Sequence, residues 1–459
     1  MASAIAAVVS IIPSSAFAHA ADRGHVLLLP TGHYLAAGAA AVAASFLLLG
    51  FVRPGTLRAV LDRRLRLPFG LPGVRLLLSL ISFALTMLLV AAGFFGSRDP
   101  LSNPLPLFFW TLLWVGLTLA QGALGNLWAA INPWYGPCRL VRPFVGTPAL
   151  RLPRRTGYWP AVLGLAGMAW FELIDLAPDD PSRLATVVLA YWLTTFAGIA
   201  LFGYVRWLGR CEFLSAFLGM VARFGIVDAG GRRLALCFPG ARLQSVAPLP
   251  LSGTLLILLA LASVTFDGLS RTFFWLGLNG INPLDFPGRS AMTVINSLGL
   301  AGAFVALAAA FLMAVWAGLR LSADPTPPLR AAGLLVWSLV PIALGYLFAH
   351  YLTLLLVNGQ YALVAMSDPF SLGWNLFGTA HWNVEAGIVM GHEAAWVIWN
   401  LQSGAIILAH VVAVSVAHAL ADRLRPADGR LLAGQLPLGI LMVLYTVMGL
   451  WLLSSPTGA

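Results

Sequence analysis

Long apolar stretches alternate with short polar connections along most of this 459-residue chain. Each stretch holds about 20 residues, the length that a helix needs to cross ~30 Å of hydrocarbon. A helix satisfies its backbone hydrogen bonds internally, so helices are the expected form for such runs in lipid. The pattern predicts an all-α, polytopic membrane bundle of about ten transmembrane helices, with approximate limits 31–52, 74–96, 105–131, 157–177, 184–208, 249–267, 293–318, 331–357, 394–419 and 432–454.

The first twenty residues have a different pattern. An apolar stretch is followed by the helix breaker Pro13 and by small residues that end in Ala16-Phe17-Ala18. This order is typical of a secretory signal with an A-x-A cleavage site, and an uncleaved first anchor is the alternative. We therefore predict a signal peptide over residues 1–20 and a single transmembrane helical domain over residues 21–459.

Composition agrees with a membrane location. Only 10% of the residues are charged, 59% are hydrophobic and the mean hydropathy is +0.87, whereas about a quarter of the residues in soluble domains are charged. A net charge of +10 would suggest nucleic acid as the partner of a soluble chain, but here the arginines lie between apolar spans. We expect the lipid bilayer as a partner and no nucleic acid.

The arginines also predict how the spans are oriented. With the mature N-terminus outside, alternate connections carry most of the arginines, and the positive-inside rule assigns those connections to the cytoplasm. The chain is then a multi-pass protein of a bacterial inner membrane with its mature N-terminus and its C-terminus in the periplasm. Residues 211–248 form an inner-face segment with a half-buried amphipathic helix, and residues 268–292 and 358–393 form the two long outer connections.

Ionisable side chains within the spans are the first candidates for chemistry, because such groups are costly in hydrocarbon. Asp267 ends the sixth span, and His350 and His410 lie in the eighth and ninth. Asp368 lies in the outer connection after the eighth span. We predict that these four residues form a catalytic site facing the periplasm. Four further polar residues of that connection could belong to the site or simply be solvated: His381, Glu385, His392 and Glu393.

A metal ion is one use for such side chains. Carboxylates and neutral imidazoles are ligands of zinc and other divalent transition metals. Asp267, His350 and His410 could together hold such an ion, which would ionise a bound water near neutral pH and supply hydroxide. No HExxH motif is present. The structural alternatives are an interhelical hydrogen bond for either histidine and an ion pair with Arg271 for Asp267.

Several motifs between about residues 105 and 420 carry a family resemblance. They are WTLLWVG at 110–116, LGNLW at 124–128 with NPW at 132–134, SVTFDGLSRT at 263–272, AHY at 349–351, SDPF at 367–370 with GWNLFG at 373–378, and the pair His410 and His418. In these motifs the chain resembles bacterial multispanning proteins called fenitrothion hydrolases. The resemblance implies an inner-membrane organophosphorus hydrolase that cleaves the P–O–aryl bond of a fenitrothion-like triester and releases a nitrophenol. It also implies an N-terminal signal sequence.

Two functions follow from the residues and the resemblance. We predict a hydrolase that acts on a small hydrophobic organophosphorus triester, with a divalent metal ion of unassigned identity as its cofactor. The alternative is a membrane transporter or metal-handling protein that passes a proton or cation along the intramembrane histidines. We find no internal repeat, so an inverted-repeat transporter gains no support. No sequence pattern predicts the oligomeric state.

Overall fold

The computed structural model describes residues 31–52, 55–61, 63–67, 73–145, 148–228, 234–285, 288–389, 391–424 and 430–456. The signal peptide predicted over residues 1–20 lies outside the described residues. Helices dominate the described chain, which confirms the predicted all-α polytopic bundle. Nine helices in these ranges are long and apolar enough to cross a membrane.

Each of the nine spanning helices overlaps one predicted span. They are α1 (Thr31–Leu49), α3 (Val74–Phe95), α4 (Pro104–Leu124), α8 (Pro181–Phe202), α11 (Leu251–Ser270), α13 (Arg289–Leu321), α14 (Pro328–Ser367), α15 (His392–Ala421) and α16 (Leu431–Ser454). Two of them are irregular inside. The middle of α4, Leu107–Leu117, is π-helical, and α14 contains a 3₁₀ turn at Val336–Leu339. Because α14 extends to Ser367, the connection predicted to start at residue 358 begins only at Asp368.

The span predicted over residues 157–177 is shorter than expected. It forms α7, Trp159–Leu173, whose 15 residues extend about 22 Å at 1.5 Å per residue. That length falls short of the ~30 Å hydrocarbon layer. Pro160 lies in its first turn, where proline is tolerated. Beyond its C-terminal end, Asp175 is buried and its carboxylate pairs with Arg183 at 2.6 Å.

A second difference from prediction is the early end of α4, at Leu124 rather than residue 131. Gly125 ends it with a φ of 124°, a conformation that residues with a Cβ rarely adopt. A Cβ at this position would lie only 2.5 Å from the carbonyl oxygen of Val227. The chain therefore turns here, and the short helix α5, Trp128–Ile131, follows.

Short helices and one small sheet occupy the connections. The helices are α2 (Thr56–Leu61), α6 (Tyr135–Val145), α9 (Tyr204–Arg210), α10 (Phe213–Val221) and α12 (Phe273–Leu278), and the 3₁₀ turns are Arg154–Thr156, Ala222–Phe224, Ala241–Ser245, Pro283–Asp285 and Ala386–Val389. The strands β1 (Arg64–Arg66), β2 (Val227–Asp228) and β3 (Ala235–Cys237) form an antiparallel sheet in the order β1-β3-β2, with Leu65 opposite Leu236. Most of α10 is buried, so it packs inside the bundle instead of lying half-buried on a surface as predicted.

Two mostly buried helices, α11 and α14, form the centre of the bundle. They lie side by side at their N-terminal ends. There the backbone N–H of Leu249, two residues before α11, donates to the Gly333 carbonyl of α14 at 2.8 Å. On its other side α14 packs closely against α15, because a Cβ on Gly345 would lie 2.4 Å from the Ala409 Cβ. Glycine allows this approach, which brings helices that carry ionisable residues into contact.

Candidate active site

A buried carboxylate, that of Asp267, lies at the centre of the site. Asp267 occupies the last turn of α11 and its side chain is only 2% exposed. Its Oδ2 atom lies 2.7 Å from Nε2 of His350 and accepts a hydrogen bond from the Tyr351 hydroxyl, also at 2.7 Å. Its Oδ1 atom lies 3.2 Å from Nη2 of Arg271, one helical turn further on. A cation, an imidazole and a phenol thus compensate the burial of this charge.

Access to the buried carboxylate runs through its partners. The side chains of His350 and Arg271 are 23% and 31% exposed. The His350 and Tyr351 rings are nearly perpendicular, with centroids 4.6 Å apart, so the two neighbours on α14 reach the same oxygen from different directions. His350 can therefore contact a molecule at the surface, while Asp267 contacts the imidazole of His350 from the interior.

A second carboxylate, Glu172, joins the site through Tyr351. Glu172 lies in the last turn of α7, and its Oε1 atom lies 3.1 Å from the Tyr351 hydroxyl. Arg289 fixes this end of α7 by donating to the backbone oxygens of Glu172 and Asp175, each at 3.0 Å. The site therefore contains residues from α7, α11 and α14.

The helices around the site end at different heights. Helix α7 ends at Leu173 and α11 at Ser270, each within a few residues of the site. Helix α14 continues for 17 residues beyond His350, to Ser367, which is about 25 Å along its axis. The site thus lies where two shorter helices end against the side of a longer one.

His410 lies deeper than this cluster and does not contact it. It is fully buried on α15, its Nδ1 atom lies 2.8 Å from the Ile406 carbonyl oxygen, and its ring packs against Tyr346 and Tyr445. Tyr346 precedes His350 by one turn. The Tyr445 hydroxyl contacts that of Thr265, two residues before Asp267. The sequence predicts one site for His410, Asp267 and His350. The structure does not bring His410 into contact with the other two residues.

Asp368 also lies away from the cluster. It follows α14, 18 residues beyond His350, and a continuous helix separates the two. Its carboxylate accepts hydrogen bonds from the backbone N–H groups of Leu372 and Gly373, at 2.8 and 2.7 Å, and so closes its own loop. The predicted supporting role for Asp368 has no geometric basis. The four further polar residues of the connection, His381, Glu385, His392 and Glu393, are exposed.

The predicted metal ligands do not assemble into a three-residue set. Among the described residues, no group of three or more His, Cys, Asp or Glu side chains is placed to hold a metal ion. Both Asp267 oxygens already have hydrogen-bonding partners, and the positive charge of Arg271 lies directly beside them. A cation bound to Asp267 would be repelled by this guanidinium, so the residues do not fit the predicted ion.

Comparisons with protein-family models, curated proteins and solved structures found no match to this chain. The resemblance to fenitrothion hydrolases stays a prediction from the quoted motifs. The chemistry of the site follows from its own geometry.

Asp267 and His350 form a carboxylate–imidazole dyad. When Nε2 of His350 carries a proton and donates it to Asp267, the lone pair is on Nδ1. The Nδ1 atom lies beside Gly268, where an added Cβ would be 4.0 Å away. A carboxylate that fixes the tautomer and stabilises the imidazolium equips a histidine to act as a general base.

Two residues of the site, Glu172 and Tyr351, were not among the predicted catalytic residues. Both left some signal in the sequence, because Glu172 is an acid inside a predicted span and Tyr351 follows His350 directly. Spacing along the chain cannot show that a residue of α7 meets one of α14, since 179 positions separate them.

Proposed function

We propose that this chain is a membrane-embedded hydrolase of lipophilic organophosphorus triesters, with His350 as the general base and Asp267 as the residue that orients it. The observation that carries the proposal is the 2.7 Å contact between Nε2 of His350 and Oδ2 of Asp267 at a partly exposed position. The resemblance to fenitrothion hydrolases supplies the substrate class, a triester with a P–O–aryl bond.

The reaction begins with a water molecule next to His350. Nδ1 takes a proton from the water as its oxygen attacks phosphorus, and Asp267 stabilises the imidazolium that forms. The P–O–aryl bond breaks and the aryl oxide leaves with the bonding electron pair. Arg271, 31% exposed, supplies positive charge close to the oxygen atoms that become negative.

The bilayer gives such a substrate a route to the site. An apolar aryl triester dissolves in hydrocarbon, and two of the three helices of the site, α11 and α14, are long enough to span it. The arginine pattern further supports an inner-membrane protein whose site opens to the periplasm. No step of this mechanism uses a metal, because the guanidinium of Arg271 beside Asp267 would repel a cation bound there.

A second candidate function is proton or cation transport along the deeper histidines. It is favoured by one observation: in the described part of the chain, the buried Nε2 atoms of His410 and His418 have no hydrogen-bonding partner. Such atoms could accept a proton in transit. The two functions make opposite predictions for substitutions at His350 and His410.

Nitrophenol release from washed membranes tests the proposal. Wild type should release nitrophenol from a fenitrothion-like triester, and His350→Ala should lose about 10²–10⁴-fold of this rate, the usual contribution of a general base. The exposed His392→Ala variant is the matched control and should keep the wild-type rate. Equal rates for His350→Ala and wild type would reject the site. No release by well-expressed wild type would reject the substrate class.

A further inference from the structure

The Tyr351 hydroxyl lies between two carboxylates. It is 2.7 Å from Oδ2 of Asp267 and 3.1 Å from Oε1 of Glu172. A tyrosine hydroxyl has a single hydrogen, so it cannot donate a full hydrogen bond to both oxygens. If both acids were ionised, one contact would bring lone pairs together without a proton between them. A second proton in this group removes that repulsion, so the geometry favours one neutral acid.

The surroundings indicate which carboxylate holds that proton. Asp267 has the shorter contact with Tyr351 and also faces His350 and Arg271, which favour its negative charge. Glu172 lies near the negative charges of Asp267 and Asp179, and the guanidinium of Arg271 pairs with Asp267.

A second cation, Arg289, lies at this end of α7 and contacts backbone oxygens instead of the Glu172 carboxylate. Arg289 donates to the backbone oxygen of Glu172 and to that of Asp175. The protonated Glu172 side chain can donate to the Tyr351 oxygen, and Tyr351 then donates to Asp267. This order gives every contact one hydrogen.

We propose that Glu172 is held as a neutral carboxylic acid and gives its proton to the leaving oxygen of the substrate. This role rests on the hydrolase function proposed above. As water oxygen bonds to phosphorus, His350 takes one water proton and the P–O bond breaks toward the leaving oxygen. The Glu172 O–H bond breaks and its proton goes to that oxygen. His350 then releases one proton to solvent and Glu172 takes one up, so the site returns to its starting state.

A site with both a base and an acid suits a particular class of ester. A nitrophenolate is stable as an anion and leaves without a proton, so it needs no general acid. An unsubstituted phenoxide or an alkoxide is far more basic and leaves faster when it is protonated as the bond breaks. The inferred substrate class is therefore lipophilic phosphotriesters with basic leaving groups, a wider class than nitrophenyl esters.

Infrared spectroscopy of the purified full-length protein in lipid tests the protonation of Glu172. A neutral carboxylic acid has a C=O stretching band separate from the carboxylate bands. Glu172→Gln should remove one such band, and Tyr351→Phe should shift it, because Glu172 loses its hydrogen-bonding partner. Glu385→Gln makes the same change at an exposed acid and should leave the band intact. If the Glu172→Gln spectrum keeps every carboxylic acid band, Glu172 is ionised and the inference is wrong.

A pair of substrates tests the transfer of the proton. The two triesters differ only in the leaving group, nitrophenol in one and phenol in the other. Glu172→Gln should lower kcat for the phenyl ester about 10²-fold more than it lowers kcat for the nitrophenyl ester. Equal losses for the two esters would overturn the acid role. If wild type hydrolyses neither ester, the hydrolase function and this acid role both fall, while the infrared result still decides the protonation of Glu172.

Discussion

His350 and His410 show how differently two histidines can be held by neighbouring helices. His350 is 23% exposed and contacts the carboxylate of Asp267. His410 is fully buried, contacts the Ile406 carbonyl oxygen through Nδ1 and is flanked by tyrosine rings. A buried imidazole without a carboxylate partner is costly to charge, whereas a carboxylate partner stabilises the charged form. His350 is thus suited to take up a proton, and His410 is suited to stay neutral.

The largest expected effect comes from replacing the carboxylate that distinguishes the two histidines. Asp267→Asn should lower triester hydrolysis by about 10²–10⁴-fold, because an amide can hold His350 in the wrong tautomer and cannot stabilise the imidazolium. The measurement is kcat for nitrophenol release by purified protein, with expression and thermal unfolding checked beside it. Asp285→Asn makes the same chemical change at an exposed position and should leave kcat unchanged. A fully active Asp267→Asn protein would remove the difference between the two histidines.

A smaller loss is expected when the cation beside the dyad is removed. Arg271→Gln should lower kcat by about 10²-fold, within the range for losing one group that stabilises developing negative charge. It should also destabilise the fold, because the buried Asp267 loses an ionic partner. Arg320→Gln, at an exposed position of α13, is the control for removing one arginine. If the dyad contained a bound cation instead, removing Arg271 would strengthen metal binding, which calorimetry with Zn²⁺ would detect.

The sequence predicts the membrane fold well and the site only in part. Apolar runs of spanning length require helices, so the bundle follows from the pattern alone. Asp267 and His350 were identifiable because charged and imidazole groups are conspicuous in such runs. Which of the deeper groups joins them depends on the rotation and height of each helix, which hydropathy does not encode. The sequence therefore groups His410 with the pair although it contacts Ile406, and it does not identify Tyr351 as a partner of Asp267.

The next effect concerns stability more than rate. Tyr351→Phe removes the hydroxyl between Glu172 and Asp267, and both acids lose a hydrogen-bonding partner. We expect a loss of about 1–3 kcal/mol in the free energy of unfolding, the usual cost of leaving a buried polar group unsatisfied. Urea unfolding in mild detergent, followed by tryptophan fluorescence, measures it. Tyr361→Phe on the same helix is the matched control. Equal stability of the two variants would show that the hydroxyl does not link the acids.

The smallest expected effect separates the two proposed functions. His410→Leu removes the deeper imidazole and its unpartnered Nε2 atom and fills much of the same space. A buried polar atom without a partner is costly, so removing Nε2 offsets part of the contact that is lost at Nδ1. Triester hydrolysis should therefore stay within about threefold of wild type, because the general base at His350 is intact. In proteoliposomes with a trapped pH indicator, a transporter that uses His410 would instead lose its proton flux in this variant while His350→Ala kept it.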